Sequence, residues 1–226
     1  MLRGAFVPLL FGALAQAPGP RSAPVYPCLS PDPNVASRRL RVLPVDEAAA
    51  QPDFFSFRAR LQTAIARRDE AAVLAAADPG IRTSFGSDHG LNAFRAQLSD
   101  SKSTIWADLA AALALGGAFR SMDSFEAPYV FAKWPDVDSF ECSAVIGDLV
   151  RVRVSAEPDS AVVARVSFDV VQVVPQQGSA GAVRVRLWNG RTGFIAAAYL
   201  RSPVAHRAIF QRVRGQWRLA AFVAGD

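Results

Sequence analysis

The chain is poor in the residues that most often build catalytic and metal centres. Among 226 residues it has 2 histidines and 2 cysteines. The histidines, His89 and His206, lie far apart in the sequence, whereas a zinc site needs three or four ligands, several of them at short spacing. G-x-S-x-G, P-loop and G-x-G-x-x-G motifs are missing as well. The sequence therefore indicates no catalytic residue, no metal and no cofactor, and favours a protein that is not an enzyme.

Long apolar runs are missing too, so no transmembrane segment is expected. The run over residues 5–14 is about half of the ~20 residues that a spanning helix needs. It follows Arg3 and precedes alternating alanines, which is the pattern of a secretory signal peptide. Cleavage after Ala15 gives a signal peptide over 1–15, and cleavage after Ala17 is the alternative. We therefore expect secretion across the inner membrane into the periplasm.

Export changes how the two cysteines are interpreted. An even number of cysteines in an oxidising compartment favours a disulfide, here between Cys28 and Cys142, and two unpaired thiols are the alternative. Cys28 lies in a proline-rich stretch over 16–50, which we expect to be an extended arm outside any sheet. The bridge would pin this arm to the start of the segment that follows Cys142.

Charge is distributed unevenly. Residues 1–141 carry 14 basic and 15 acidic side chains, a net of −1, while residues 142–226 carry 11 arginines and 5 acids, a net of +6. A basic half attracts anionic partners. However, the alternation in Arg151-Val-Arg153 and Arg184-Val-Arg186 is also what a solvated strand face gives. Export makes nucleic acid an unexpected partner.

The segment before Cys142 has mainly helical periodicity. Apolar side chains at helical spacing predict four helices, over 54–65 with Asp53 as the cap, 69–77, 90–98 and 103–115 with Ser103 or Thr104 as the cap. The second helix is expected to stop at Asp78-Pro79-Gly80, with a strand over 81–85 after it. The aromatic stretch 119–138 has no clear period.

The last segment, 208–223, predicts a β-hairpin about Arg214-Gly215. Its expected core side chains are Phe210, Val213, Trp217, Leu219 and Phe222. A lone hairpin is marginal in water, so it should return to the front of the chain. The predicted fold is α+β: a mainly helical domain over 51–141, completed by 204–226, with an insertion over 142–203.

The insertion consists of short valine-rich strands and tight turns. Its motifs are Val152-Arg153 with Glu157-Pro158, Val185-Arg186-Leu187 running into Asn189-Gly190-Arg191-Thr192-Gly193, and Tyr199-Leu200. In these motifs the stretch resembles a bacterial SH3 domain, a small β-barrel of cell-envelope proteins. The resemblance implies an SH3-like barrel over 142–203 that acts by binding.

In that family, aromatic side chains near the loops usually contact peptide or glycan. The resemblance therefore implies a ligand-binding set of Arg186, Trp188, Arg191, Phe194 and Tyr199. The chain departs from the pattern at Ala182 and Phe194, where tryptophan is usual. The alternative is that Phe194 and Tyr199 belong to the core and that Trp188 covers one end of the barrel.

A second resemblance involves the flanking segments. Residues 57–90, together with the terminal 210–226, are similar to NTF2-like cone proteins, although the extra helix at 103–115 and the shortage of predicted strands depart from that pattern. The resemblance implies a cone that could hold a small apolar ligand lined by Phe57, Phe85, Trp106 and Tyr129.

The sequence thus favours an exported, non-catalytic protein whose SH3-like barrel contacts peptidoglycan or an envelope protein. One alternative is a cell-wall hydrolase with an acid pair in the front domain, because two facing carboxyl groups suffice for glycoside hydrolysis. The candidate acids are Glu70, Asp88, Asp123 and Glu126. Another alternative is a small-ligand carrier with an NTF2-like cavity. The sequence gives no oligomeric state.

Overall fold

The computed structural model describes residues 28–29, 37–87, 89–175 and 181–225. The predicted signal peptide and much of the proline-rich arm lie outside these residues. Within them the chain is α+β, with five α-helices and two largely antiparallel sheets.

All five α-helices precede Cys142 in the sequence, and the strands form two separate sheets. The helices are α1 (Pro52–Ala66), α2 (Glu70–Ala76), α3 (Leu91–Ser99), α4 (Ile105–Ala114) and α5 (Tyr129–Ala132). A five-stranded sheet has the order β1-β12-β11-β3-β2, with β1 (Ala77–Arg82), β2 (Ala118–Ser121), β3 (Ser124–Ala127), β11 (Arg207–Val213) and β12 (Gln216–Val223). A seven-stranded sheet has the order β10-β4-β7-β8-β9-β5-β6, with β4 (Cys142–Val145), β5 (Val150–Arg153), β6 (Val162–Val166), β7 (Val170–Val173), β8 (Ala182–Arg186), β9 (Thr192–Ala196) and β10 (Leu200–Arg201).

The four predicted helices are present as α1 to α4. Asp69 caps α2 as its carboxylate accepts a hydrogen bond from the amide of Ala72 at 3.0 Å. The cap predicted for α1 is wrong: Gln51 holds the cap position, and Asp53 lies in the first turn. There its carboxylate accepts hydrogen bonds from Arg212 and from the indole of Trp217 instead.

The strand predicted over 81–85 is wrong in position. Asp78-Pro79-Gly80 does not end the preceding helix as a turn, because β1 begins at Ala77 and runs through these residues. This strand pairs in parallel with β12 only at its two ends, with a register shift between them. Proline lacks an amide donor and is tolerated on an edge strand at an irregularity of this kind.

The hairpin predicted about Arg214-Gly215 is present as β11 and β12. Both turn residues have positive φ, 50° and 78°, as a tight hairpin of the type I′ kind requires. The hairpin occupies the middle of the five-stranded sheet, pairing with β3 on one side and β1 on the other. Four of the five predicted core side chains are buried, but Val213 is 38% exposed, because it ends β11 beside the turn.

Phe54 on α1 is the centre of the core between the helices and this sheet. Its side chain is fully buried. Five aromatic rings have centroids within 6.3 Å of the Phe54 ring, those of Phe57, Phe119, Phe125, Phe210 and Trp217. Edge-to-face and tilted contacts of this kind add to the burial of apolar area. The cluster holds α1 against β3, β11 and β12.

We predict that Phe54→Ala destabilises the protein by about 3–5 kcal/mol, because it leaves a large cavity among rigid rings. Chemical denaturation followed by circular dichroism measures the change. Phe55→Ala is the matched control, since Phe55 is 48% exposed on the same helix and its loss should change the free energy of unfolding by about 0.5 kcal/mol or less. Equal effects of the two substitutions would contradict the assignment of Phe54 as the centre of the core.

The seven-stranded sheet buries its own apolar face. The cluster on this face is supplied by residues between Val145 and Leu200, and no helix of the described chain contributes to it. Because these side chains are shielded from water by one another, the sheet must curl over them. Within the described residues the two edge strands of this sheet, β10 and β6, are not paired with each other, so the sheet is open. The expected closed barrel is therefore not established by the strand pairing.

Gly193 shows how tightly this sheet packs. A Cβ atom at this position would lie 2.6 Å from a methyl carbon of Val152 and 2.7 Å from the carbonyl oxygen of Arg153. Only glycine allows β9 to approach β5 this closely.

The part of the arm that the structure describes supplies no strand to either sheet, but it forms an isolated bridge beside each of them. Arg41 forms an antiparallel bridge with Asp169, and Asp46 forms a parallel bridge with Gly117. A Cβ atom on the neighbouring Gly116 would lie 2.5 Å from the carbonyl oxygen of Val45, so glycine permits the approach of the arm. Residues 37–47 thus act as a strap between the two sheets.

Cys28 and Cys142 form a disulfide bridge, with Cα atoms 6.5 Å apart and a sequence separation of 114. Both cysteines are buried beside Leu29, Val42 and Val130. The bridge attaches the start of the described arm to β4.

We predict that the paired substitution Cys28→Ser with Cys142→Ser lowers the free energy of unfolding by up to about 4–5 kcal/mol, because a loop of this length no longer restricts the unfolded chain. Denaturant titration of the oxidised protein and the variant gives the difference. Reductant should destabilise the wild type and leave the variant unchanged. If reductant, added so that it reaches the cysteines of the unfolded chain, does not change the free energy of unfolding of the wild type, the bridge is contradicted.

Candidate binding groove on the seven-stranded sheet

The face of the seven-stranded sheet opposite its valine cluster, here called the outer face, is divided into two halves. One half, on β4 and β7, packs against the arm and the segment around α5 through a buried cluster that includes Val42, Tyr129 and Val130. The other half, on β8, β9 and β5, borders an open groove of about 960 Å³. The groove is the candidate binding site.

The groove combines apolar and charged side chains. Leu149 and Tyr199 line it with 63% and 49% of their surface exposed. Phe194 lines it from β9 and is partly buried. Arg151 and Arg153 line it from β5. This is a surface with aromatic and aliphatic area beside hydrogen-bond donors, as binding surfaces often have.

Strand register explains why arginine and phenylalanine lie side by side. Phe194 on β9 is directly opposite Arg184 on β8 and Arg153 on β5. Directly opposite residues project to the same face of a sheet. The Phe194 ring is therefore placed between two arginines on the outer face.

The groove contains two of the five residues that the SH3 resemblance implied for ligand binding, Phe194 and Tyr199. Tyr199 is half-exposed and so is not part of the core, as the alternative would require. The remaining three lie elsewhere. The Nε of Arg186 donates to Gln172 at 2.8 Å, and Arg191 donates to the carbonyl oxygen of Val163 at 3.1 Å.

Trp188 is held by the arm. The guanidinium carbon of Arg39 lies 4.1 Å from the centre of the indole ring, and the amide of Ser37 donates to the carbonyl oxygen of Trp188 at 2.7 Å. The ring is partly buried and contacts the apolar clusters on both faces of the sheet. Trp188 is therefore packed under the arm, as the alternative interpretation of a covering role expects, although what covers it is the arm.

Asp169 is the residue that fixes the arm in this position. Its carboxylate is fully buried and accepts two hydrogen bonds from Arg39, at 2.6 and 2.9 Å, and one from the amide of Ser167 at 2.8 Å. The hydrogen bond to Asp169 raises the pKa of Arg39 above its usual range. Arg41 is 3.5 Å from the same carboxylate. Sequence reasoning missed this cluster, which joins residues 130 positions apart.

We predict that Asp169→Asn destabilises the protein by about 1.5–3 kcal/mol, because charge-assisted hydrogen bonds to a buried acceptor are lost. Tryptophan emission should also shift to longer wavelength as Arg39 leaves Trp188. Asp159→Asn, at an exposed turn on the same sheet, is the matched control. An unchanged unfolding free energy in Asp169→Asn would show that the arm is held by other contacts.

The candidate acids of the front half have separate surroundings. Glu70 accepts from the hydroxyl of Ser99 at 3.0 Å, and Asp123 lies 3.6 Å from the Nε of Arg212. Burial raises the pKa of Glu126, while two nearby arginines act in the opposite direction. Asp88 lies outside the described residues. No recorded contact joins any two of the three described acids.

Two of the four residues proposed to line an NTF2-like cavity, Phe57 and Tyr129, border different clefts. Phe57 borders a cleft of about 560 Å³ between α1, α2 and β12, and Tyr129 borders a different one of about 340 Å³. The indole of Trp106 donates to the carbonyl oxygen of Leu98, and Phe85 is 47% exposed. The Phe54 cluster fills the space between the sheet and the helices.

The described residues include no group of three or more His, Cys, Asp or Glu side chains positioned to hold a metal ion. In the same part of the chain, no helix has the length and apolar character needed to cross a membrane.

No family model and no curated protein matches the chain. Among solved structures, the chain is similar to one named Rd1NTF2_05, with 14% identity, a TM-score of 0.29, and coverage of 76% of this chain and 95% of the other. It is also similar to a variant of Rv3472, a protein of unknown function from Mycobacterium tuberculosis, with 12% identity, a TM-score of 0.28, and coverage of 76% and 69%.

Proposed function

We propose that the protein is an exported, non-catalytic binding protein of the cell envelope. In this proposal the seven-stranded sheet is an SH3-like module, and its groove contacts peptidoglycan or an envelope protein. The curling of the sheet over its own valines supports an SH3-like architecture, and the disulfide is compatible with secretion.

The exposure of apolar side chains in the groove carries the proposal. Leu149 and Tyr199 are large side chains with about half or more of their surface in water, and both border the same concave space beside Phe194. Grouped exposed apolar side chains mark interaction sites far more often than single ones do. An aromatic ring with a polar end, such as that of Tyr199, is a frequent anchor in such sites.

A binding role fits the described residues better than a hydrolytic one. Hydrolysis of a glycan needs two carboxyl groups facing one cleft at about 5–10 Å. Two of the candidate acids are instead bound to separate partners, with Glu70 beside Ser99 and Asp123 beside Arg212. Binding through the groove needs no such pair.

Pelleting with insoluble peptidoglycan sacculi tests the proposal. We expect the oxidised, mature protein to co-sediment without releasing soluble fragments. Tyr199→Ala should weaken co-sedimentation at least about fivefold, as loss of an anchor residue does. Phe140→Ala is the matched control, because Phe140 is 66% exposed but does not line the groove.

Release of soluble fragments would contradict the proposal in favour of a wall hydrolase. Co-sedimentation that Phe140→Ala weakens as much as Tyr199→Ala would show that the groove is not the contact surface. A protein that stays in the supernatant does not bind the wall, and this outcome would leave an envelope protein as the partner to be tested.

A further inference from the structure

Four arginines from three strands project from the outer face. Arg151 and Arg153 line the groove, while Arg165 and Arg184 lie beside it on the same face, directly opposite Arg151 and Phe194. Arg151 and Arg153 come from β5, Arg165 from β6 and Arg184 from β8. Arg151 is directly opposite Arg165 in the strand pairing. Like charges in this arrangement destabilise a sheet, so their presence calls for a compensating anion.

The described chain does not supply that anion. Within residues 28–29, 37–87, 89–175 and 181–225, no recorded ion pair joins any of these four arginines to an acid. Arg151, Arg165 and Arg184 are exposed, while Arg153 donates to the carbonyl oxygen of Ser160 at 2.5 Å. The guanidinium groups of the three exposed arginines are therefore accessible to carboxylates from outside, which they can bind through paired hydrogen bonds.

We infer that the groove selects an acidic peptide segment, in which carboxylates alternate with apolar side chains. This inference rests on the proposed function and names the chemistry of its partner. The carboxylates would pair with Arg151 and Arg184, and the apolar side chains would pack on Leu149 and Tyr199. Each kind of side chain in the ligand thus has a counterpart in the groove or, for Arg184, directly beside it.

The acidic side chains in the groove favour a peptide over a uniform polyanion as the ligand. Asp148 and Glu157 also line the space. A polyphosphate chain would bring negative charge against both, and it would leave the apolar lining without a partner. A peptide can place uncharged or basic residues at these two positions. The mixed lining therefore favours a peptide over a polyanion.

Fluorescence anisotropy with two labelled peptides tests the inference on the full, oxidised chain. In one peptide glutamates alternate with leucines, and in the other glutamines replace the glutamates. We expect the glutamate peptide to bind at least about tenfold more tightly, since each charge-assisted pair is worth roughly that factor. Added salt should reduce the difference in affinity between the two peptides, because it screens exposed charges.

Arginine variants locate the contact. Arg151→Ala and Arg184→Ala should each weaken binding of the glutamate peptide about tenfold and leave binding of the glutamine peptide nearly unchanged. Arg60→Ala is the control, because Arg60 is an equally exposed arginine on α1. The thermal unfolding midpoint of each variant shows that it folds.

Several results would overturn the inference. The two peptides could bind equally or not at all, Arg60→Ala could weaken binding as much as the groove variants, or inorganic polyphosphate could compete more strongly than the glutamate peptide. The comparison of the two peptides uses only the wild-type protein, so it remains decisive even if an arginine variant fails to fold. If Tyr199→Ala weakens binding to sacculi but the glutamate and glutamine peptides bind equally, the acidic ligand is refuted and the proposed function still stands.

Discussion

The buried carboxylate of Asp169 is the constraint on which the arrangement of the outer face depends. A carboxylate without exposure to water is stable only when it is paired and hydrogen-bonded, and Arg39 of the arm supplies the pairing. Backbone hydrogen bonds also hold the arm in place, among them those from Val42 to the carbonyl oxygen of Phe168 and from Val170 to that of Leu40. Trp188 is covered as a consequence, so the side chain most suited to bind a ligand becomes part of the packing.

The same arm continues to the five-stranded sheet and so links the two halves of the protein. Asp46 accepts two hydrogen bonds from the buried Arg58 of α1, and the carboxylate of Glu47 accepts one from the amide of Phe119. The disulfide fixes the other end of the described arm to β4. With the β4 and β7 half closed, the half formed by β8, β9 and β5 is the part of the outer face left for a partner.

Local features of the sequence predicted the local structure well. Helical spacing located α1 to α4, and Arg214-Gly215 located the terminal hairpin. The strand β1 was misplaced because proline and glycine suggest a turn, whereas pairing with β12 extends the strand through them. The site was predicted only in part. Phe194 and Tyr199 followed from the SH3 resemblance, but the covering of Trp188 depends on a contact between residues 130 positions apart, which no local pattern indicates.

Amide hydrogen exchange of the full, oxidised chain, with and without soluble peptidoglycan fragments, tests most directly whether the uncovered half of the outer face is the binding surface. Binding there predicts new protection in residues 148–157 and 194–199, with the arm over 37–47 unchanged. Protection confined to the arm and Trp188, or to the helices of the front half, would contradict the assignment of the groove as the binding surface.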